Sequence, residues 1–315
     1  MSSSRPVEIT PATTGSHTRP EYWFNAAGVF AIHGGALIAL FLGVRAIDVL
    51  VCVGLYFLRM FVITAGYHRY FSHRSYKTSR AFQFLLALVG TTCTQKGPLW
   101  WSATHRRHHR ESDGAGDVHS PVQRGFWYSH ILWVFDDRHE RYDVSEVKDL
   151  AKYPELRWLD RWHVVPVLTL IALTVVFGGL RGICWWYCMS TLLLMHGTFT
   201  INSLSHVWGK RVFATSDDSR NNWFLALITL GEGWHNNHHR YMQSANQGFY
   251  WWQIDISYYV LKALSFVGIV WELKKPPQRV LDEGRAGNPA PFVKATAAIE
   301  TRGDAAALLI PADAE

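Results

Sequence analysis

The sequence predicts an all-α integral membrane protein: four transmembrane helices arranged as two hairpins, with the polar, histidine-rich parts of the chain on one side of the bilayer. Three features carry that prediction. Apolar stretches fall in two close pairs, at about residues 23–42 and 47–65 and again at about 163–179 and 183–203, and a bilayer core of about 30 Å needs about 20 helical residues. The region between the pairs is rich in Arg, Asp and His. Within the polar parts histidines recur at one spacing, His105-x2-His108-His109 and His235-x2-His238-His239.

Residues 1–20 are rich in Ser, Thr, Pro and Gly and lack the apolar core of a signal peptide, so they are expected to be disordered. The first two apolar stretches are separated only by a few residues around Arg45 and Asp48, which makes them a tight hairpin. Arg59 lies inside the second stretch, where a charge must snorkel or face a polar cavity. The shorter apolar piece from Ala81 to Thr92, flanked by Arg80 and Lys96, suits a buried or interfacial helix. Pro166 leaves the start of the third span uncertain, and Gly178-Gly179-Leu180-Arg181-Gly182 joins it to the fourth. Each hairpin turn carries one arginine, Arg45 or Arg181, whereas the middle region and the segment with Lys262, Lys274, Lys275 and Arg279 carry many. The positive-inside rule then puts both termini and every histidine cluster in the cytoplasm. From Pro276 the chain loses periodicity, so the membrane domain is expected to occupy 21–275 and a disordered tail 276–315.

The net charge of +6 is explained by this topology, since the basic residues flank apolar spans and form no continuous stripe for nucleic acid. Cys52, Cys93, Cys184 and Cys188 lie in apolar surroundings without a CxxC pair and read as buried thiols.

In a helix, residues i, i+3 and i+4 share a face, so each His box points three imidazoles one way. His68 and His73 form a wider pair. Residues five apart differ by roughly 140° in azimuth, so a helix carrying both is expected to end or bend between them. Eight histidines in three clusters exceed what one four-coordinate zinc uses. Two metal ions are implied, and imidazole suits zinc, copper, iron and nickel alike. His206, at the cytoplasmic end of the fourth span, is a ninth candidate, with Asn202 four residues earlier on the same face to hold a metal-bound water. Asp113, Asp117 and Glu232 lie close enough to the boxes to accept from the outer ring nitrogens. A lone membrane-proximal histidine is ordinarily structural, and His17, His33, His119, His130, His139, His163 and His196 read as structural or exposed.

The set His68-x4-His73, His105-x2-His108-His109, Asn202-x3-His206 and Gly231-Glu232-Gly233-Trp234-His235-Asn236-Asn237-His238-His239 resembles the membrane fatty acyl desaturases of the acyl-CoA (stearoyl-CoA, delta-9) type, over about residues 24–275. The resemblance implies four transmembrane helices under a cytoplasmic helical cap holding a non-haem di-iron site. It implies O2 as co-substrate and insertion of a cis double bond, delta-9 being expected, into a saturated fatty acyl chain. The implied iron ligands are His68, His73, His105, His108, His109, His206, His235, His238 and His239, with Asn202 through water. The chemistry suits them: an unactivated methylene pair needs a strong oxidant, which a redox-active metal pair with O2 generates and zinc does not.

The acyl chain needs a dry, bent tunnel that brings one carbon pair to the metals. Trp101 and Trp127 are expected to line it, and Cys52 and Tyr56, below His68 on the second span, to set its depth. Two departures leave the carrier open between acyl-CoA, acyl-carrier protein and acyl lipid. Animal acyl-CoA desaturases place basic residues for the CoA phosphates where this chain has Ser102-Ala103-Thr104 and Asp136-Asp137-Arg138, and Asp117-Val118-His119 lacks the proline common in relatives. No haem-binding domain or cysteine set for an iron-sulfur or rubredoxin centre is recognisable, so a separate ferredoxin-, rubredoxin- or cytochrome b5-type donor with its reductase is expected. The membrane is a bacterial inner membrane or the endoplasmic reticulum. The alternative is a membrane di-iron hydroxylase of alkanes or lipids, against which the Gly-Glu-Gly-Trp ahead of the third box weighs.

Overall fold

The computed structural model describes residues 20–287, so the expected disordered segment before Pro20 and the end of the expected tail lie outside the described residues. The first apolar stretch is one helix, Pro20–Phe41. Gly43, at φ 75°, turns the chain into Ala46–Phe61. That helix does not stop near residue 65. It continues as a π-helix, Val62–Ser72, in which every residue is buried.

The helix ends at Ser72 with His73 as its cap, so the expected end between His68 and His73 is found, and it comes after a widening that an α-helical count does not include. π-Helical hydrogen bonds join residues five apart, and His73 N donates to His68 O at 3.3 Å. Residues five apart therefore stack, and the two rings lie 4.9 Å centroid to centroid.

Two helices pack on the π-helical segment. Arg80–Thr91 starts at Ser79, whose hydroxyl accepts from Phe82 N at 3.2 Å, and it buries Gln83, Leu86, Ala87 and Gly90. Pro98–Glu111 carries the second His box. Its first N–H groups, on Leu99 and Trp100, donate to Asp160 Oδ1 at 3.0 and 2.9 Å, which satisfies two of the donors a helix start leaves open.

The second apolar pair is continuous as Val164–Val207, 44 residues long. Its backbone leaves helical geometry at Gly179 (φ 56°, ψ −141°). Val167, Leu170 and Ile171 pack against Tyr187 and Cys188, residues that a straight helix would hold about 25 Å away. The chain thus reverses at Gly179, and the second arm runs through the π-helical Gly182–Met189 into Ser190–Asn202. Among the described residues three runs are long and apolar enough to cross a membrane: Trp23–Phe41, Ala46–Ser72 and this reversing one. Phe30, Phe41, Val176 and Phe177 on them are 71%, 83%, 75% and 75% exposed, a surface suited to lipid and not to water.

The tips of the two hairpins are clamped together. Arg181 donates to Leu42 O at 2.6 Å, to Gly43 O at 2.9 Å and, through Nε, to Asp48 Oδ2 at 2.9 Å. Arg59 neither snorkels nor faces an open cavity: it is 1% exposed and donates to Ser190 Oγ and Thr191 Oγ1 at 2.6 and 2.9 Å and to the carbonyls of Leu55 and Thr92.

The polar remainder is mostly irregular. Lys77–Thr78 pairs antiparallel with Val270–Trp271, tying the chain after the π-helix to the segment that follows helix Ile256–Phe266. Placing the start of a disordered tail at 276 needs correction, because Gln278–Ala286 is a helix. Val280 is fully buried, Tyr250 donates to Leu281 O at 2.9 Å, and Arg240 pairs with Glu283. One apolar anchor in nine residues is too little for a periodic signal.

Asp48→Ala leaves the Arg181 guanidinium without its anion in a mostly buried place. The expected cost is on the order of 3 kcal/mol, read as a lower unfolding midpoint in detergent; an unchanged midpoint would show that the clamp contributes nothing.

Candidate metal centre

The histidines meet in two neighbouring clusters. Nitrogens of His68, His73, His105, His109 and His238 all lie within 4.8 Å of one another, and so do those of His108, His206, His235 and His239. The structure thereby splits each box. His105 and His109 belong to the first cluster and His108 to the second; in the third box His238 belongs to the first and His235 and His239 to the second. One face per box was too coarse an expectation, since i and i+4 nearly superpose while i+3 diverges enough to address a second point.

The donor set fits metal ions. In the first cluster Nε2 atoms follow one another in a row, His73 to His105 at 2.9 Å, His105 to His109 at 3.0 Å, His109 to His238 at 2.9 Å and His238 to His68 at 2.9 Å. One N–H serves one acceptor, so hydrogen bonds among the rings leave lone pairs facing each other. A cation at the centre takes all of them. Two nitrogens about 2.1 Å from an ion are about 3.0 Å apart at a right angle and about 3.4 Å apart at a tetrahedral one. The spacing suits the corners of a five- or six-coordinate ion better than tetrahedral zinc. In the second cluster His206 and His235 stand 3.1 Å apart through Nε2, and the buried Nε2 of His239 has no protein partner among the described residues.

Carboxylates hold the outer nitrogens. His108 Nδ1 donates to Asp117 Oδ1 at 2.9 Å, His206 Nδ1 to Asp113 Oδ2 at 2.9 Å and His239 Nδ1 to Asp217 Oδ2 at 2.6 Å, while His68 Nδ1 pairs with Glu232. Each contact fixes the tautomer that aims Nε2 inward. Asp113, Asp117 and Glu232 were expected from sequence. Asp217 was not, because it sits 22 residues from His239 on irregular chain.

Burial is the larger influence on the rings: with neighbouring imidazoles it holds His105, His109 and His238 well below the usual histidine range, so they are neutral donors. Burial acts the other way on the carboxylates and is outweighed. His206 pulls Asp113 down to about 2, and His68 with Arg69 pulls Glu232 down to about 2.

The Gly-Glu-Gly-Trp motif has a steric reason. Arg69 donates to Glu232 Oε1 at 3.0 Å and pairs with Asp255 at 2.9 Å, and Asp255 caps helix Ile256–Phe266 through Tyr258 N. Gly231, at φ +123°, lies against this ion network, and a Cβ there would stand 2.3 Å from Asp255 Oδ1. No larger residue fits.

A cavity opens onto both clusters, lined by His68, His105, His108 and His235 and closed by Met60, Ile63 and Phe199. It shares Gln95, Trp100, Trp101, Trp133 and Phe199 with a second apolar space reaching Val29 and Met195. That space in turn meets a cleft between the first helix and Val164–Arg181 at Phe24, Gly28 and Ile32. Of the expected tunnel residues only Trp101 lines the cavity, stacked on His105 with 4.9 Å between centroids. Trp127 is 69% exposed on the short helix Phe126–His130. Cys52 is buried without reaching the cavity, and Tyr56 sits behind Met60 beside Gly197, donating to Ile228 O at 2.5 Å. On that helix the cavity is lined instead by Met60, Ile63 and Thr64. Asn202 lines the cavity beside His235. His119, expected to be structural, also lines it, 4.5 Å from the His108 ring.

The family model described as fatty acid desaturase matches residues 47–265. A protein of Anemone leveillei named acyl-CoA C20 delta5-desaturase is 41% identical over 234 residues, 72% of this chain and 74% of that one. Delta-9 acyl-lipid desaturase 1 of Arabidopsis thaliana is 41% identical over 69% of this chain and 72% of its own. The sn-2 palmitoyl-lipid 9-desaturase of Nostoc is 38% identical over 69% and 78%.

Asp217→Asn keeps the size of the side chain and removes the charge behind His239. Metal affinity is expected to fall about 10- to 100-fold, measured as metal retained per chain against a graded chelator; unchanged retention would remove Asp217 from the centre.

Proposed function

The chain belongs to the fatty acid desaturase family and is an oxidoreductase acting on fatty acyl chains, and from that premise we propose that it inserts a cis double bond at the delta-9 position of a saturated chain, with O2 and electrons from a separate donor, at a non-haem di-iron centre. The observation that carries this reading is the convergence of nine imidazoles on two adjacent points. One iron is held by His68, His73, His105, His109 and His238. The other is held by His108, His206, His235 and His239, with Asn202 positioning a water. Bound iron with O2 supplies an oxidant strong enough for an unactivated C–H bond.

The protein does the rest. Asp113, Asp117, Asp217 and Glu232 keep four rings in the ligating tautomer. The apolar walls exclude water and confine the chain. Trp101 Nε1 donates to Gln95 Oε1 at 3.3 Å and Gln95 Nε2 to Thr198 Oγ1 at 2.9 Å, which gives an otherwise apolar wall one fixed polar edge against which the acyl chain takes its register. Relatives named for the 9 position favour delta-9. One is named for delta-5, so membership of the family leaves the carbon pair to be set by the cavity each chain builds. The four apolar helices are read as bilayer spans with termini and clusters in the cytoplasm, and the clamp between hairpin tips supports both tips meeting the opposite face.

Expression of the wild type and of His108→Ala with a donor system, in a host poor in unsaturated fatty acids, tests the reading. Lipid mass spectrometry with double-bond localisation is expected to show a new 9-monounsaturated acid only in the wild type. A hydroxylated product would overturn the desaturation. In the same assay Met60→Phe, which fills the cavity floor, is expected to shift product towards shorter chains by at least tenfold; an unchanged profile would place the end of the acyl chain elsewhere.

A further inference from the structure

Three more imidazoles touch in a row outside the two clusters. Expected as separate structural or exposed residues, they come from the first helix (His33), from Ser190–Asn202 (His196) and from Phe126–His130 (His130). His33 Nδ1 faces Val29 O at 2.8 Å, and its Nε2 faces His196 Nε2 at 3.2 Å. His196 Nδ1 faces His130 Nε2 at 3.0 Å, and His130 Nδ1 faces Ser203 Oγ at 3.0 Å. Ser203 in turn meets Phe199 O at 2.8 Å.

The protons in this row can be counted. There are five contacts, and each needs one proton. Three neutral imidazoles and one hydroxyl carry four. Both ends are carbonyl oxygens, which only accept. No choice of tautomers completes the row while it is neutral, and somewhere two lone pairs face each other. One added proton, making a single ring an imidazolium with two N–H groups, completes all five contacts.

We propose that His33, His196 and His130 form a binding site for one proton, shared along the row, which fastens the first helix to the wall of the acyl cavity. Its last acceptor belongs to Phe199, which lines that cavity, and Ser129, next to His130, donates to the carbonyl of Asn202 at 2.8 Å. His33 lies in the middle of the first apolar run, where an ionisable group has a specific role. Among the described residues no carboxylate pairs with any of the three rings. The charged groups on neighbouring elements are engaged elsewhere: Arg59 with Ser190 and Thr191, Glu140 with Lys96 and Asn25, and Asp136 with Arg124, Tyr128 and Arg138. Burial lowers the His130 pKa. The contact that the neutral row cannot make opposes it, in surroundings where unmade hydrogen bonds are costly.

Shortening the row changes the count. His33→Phe leaves three contacts and three protons, and Ser203→Ala at the other end also leaves three and three, so both variants are complete when neutral. Nitrogen-15 NMR of the histidine-labelled full chain in nanodiscs near pH 7.5 is expected to show one doubly protonated ring in the wild type and none at these positions in either variant. A proton bound in the folded state above the ordinary histidine pKa of about 6.5 adds stability at low pH that is lost as pH rises through the site's own pKa. The wild-type melting temperature should therefore fall more steeply than either variant's between about pH 6 and 9. A wild type without a doubly protonated ring, or pH profiles that coincide, would overturn the site. The readouts involve no turnover, so they stand apart from the assignment of the reaction.

Discussion

Nine imidazoles packed with their ring nitrogens inward cannot satisfy one another, and most of the molecule's unusual features answer that constraint. A neutral imidazole has one N–H and one lone pair. When several lone pairs converge, a cation must take them and the N–H groups must find acceptors on the outside. Each ring therefore needs a backing group and an element that aims it. Four carboxylates supply the backing for His68, His108, His206 and His239. The aiming requires backbone that an ordinary helix cannot give, which is why the second apolar helix widens into π turns over Val62–Ser72. That segment is wholly buried, and the helices Arg80–Thr91 and Pro98–Glu111 pack on it, so the same distortion that brings His68 edge to face with His73 also seats the second box.

Much of this was legible in the sequence, and the parts that were not share a cause. Histidine spacing, the paired apolar stretches and the three nearby carboxylates are local signals, and local signals survive folding. The nine histidines lie in two adjacent groups, although their spacing alone suggested one face per box. What was hidden depended on the third dimension. A box of three histidines points one way in projection, yet i+3 and i+4 differ enough to serve two centres a few ångströms apart. Asp217, itself on irregular chain, reaches His239 across 22 residues, with no periodicity to announce it. The expected floor residues Cys52 and Tyr56 lie away from the cavity, which meets the second apolar helix at Met60, Ile63 and Thr64. Trp127, expected inward, is exposed, where an amphipathic indole is equally at home.

The hairpins show the same logic in the apolar solvent. Asp48 and Arg181 are charges at the tips of apolar hairpins, and they are tolerable because each neutralises the other where the tips meet. Arg59 has no anion among the described residues and is instead enclosed by two hydroxyls and two carbonyls. Hydroxyls on Ser190–Asn202 thus act as an internal solvent for one cation, while the far end of the same helix presents Thr198 and Asn202 to the cavity. One helix fixes the hairpins against each other and shapes the space that reaches the histidines.

The two clusters are built from nearly interchangeable boxes, yet their surroundings differ in charge. Asp113, Asp117 and Asp217 stand behind the second cluster, each held ionised by the histidine it backs. Behind the first cluster stands Glu232, whose charge is shared with Arg69, and Arg69 is shared in turn with Asp255. Summed over these groups, three negative charges surround the second cluster and one surrounds the first. A cation's potential follows its outer shell as well as its ligands, so an ion held by the four imidazoles with three aspartates behind them would be favoured in a more positive state than one held by the five imidazoles backed by Glu232. The sequence repeats its His box, but the chain around the boxes makes the two positions inequivalent, and that inequivalence is carried by carboxylates and not by the histidines.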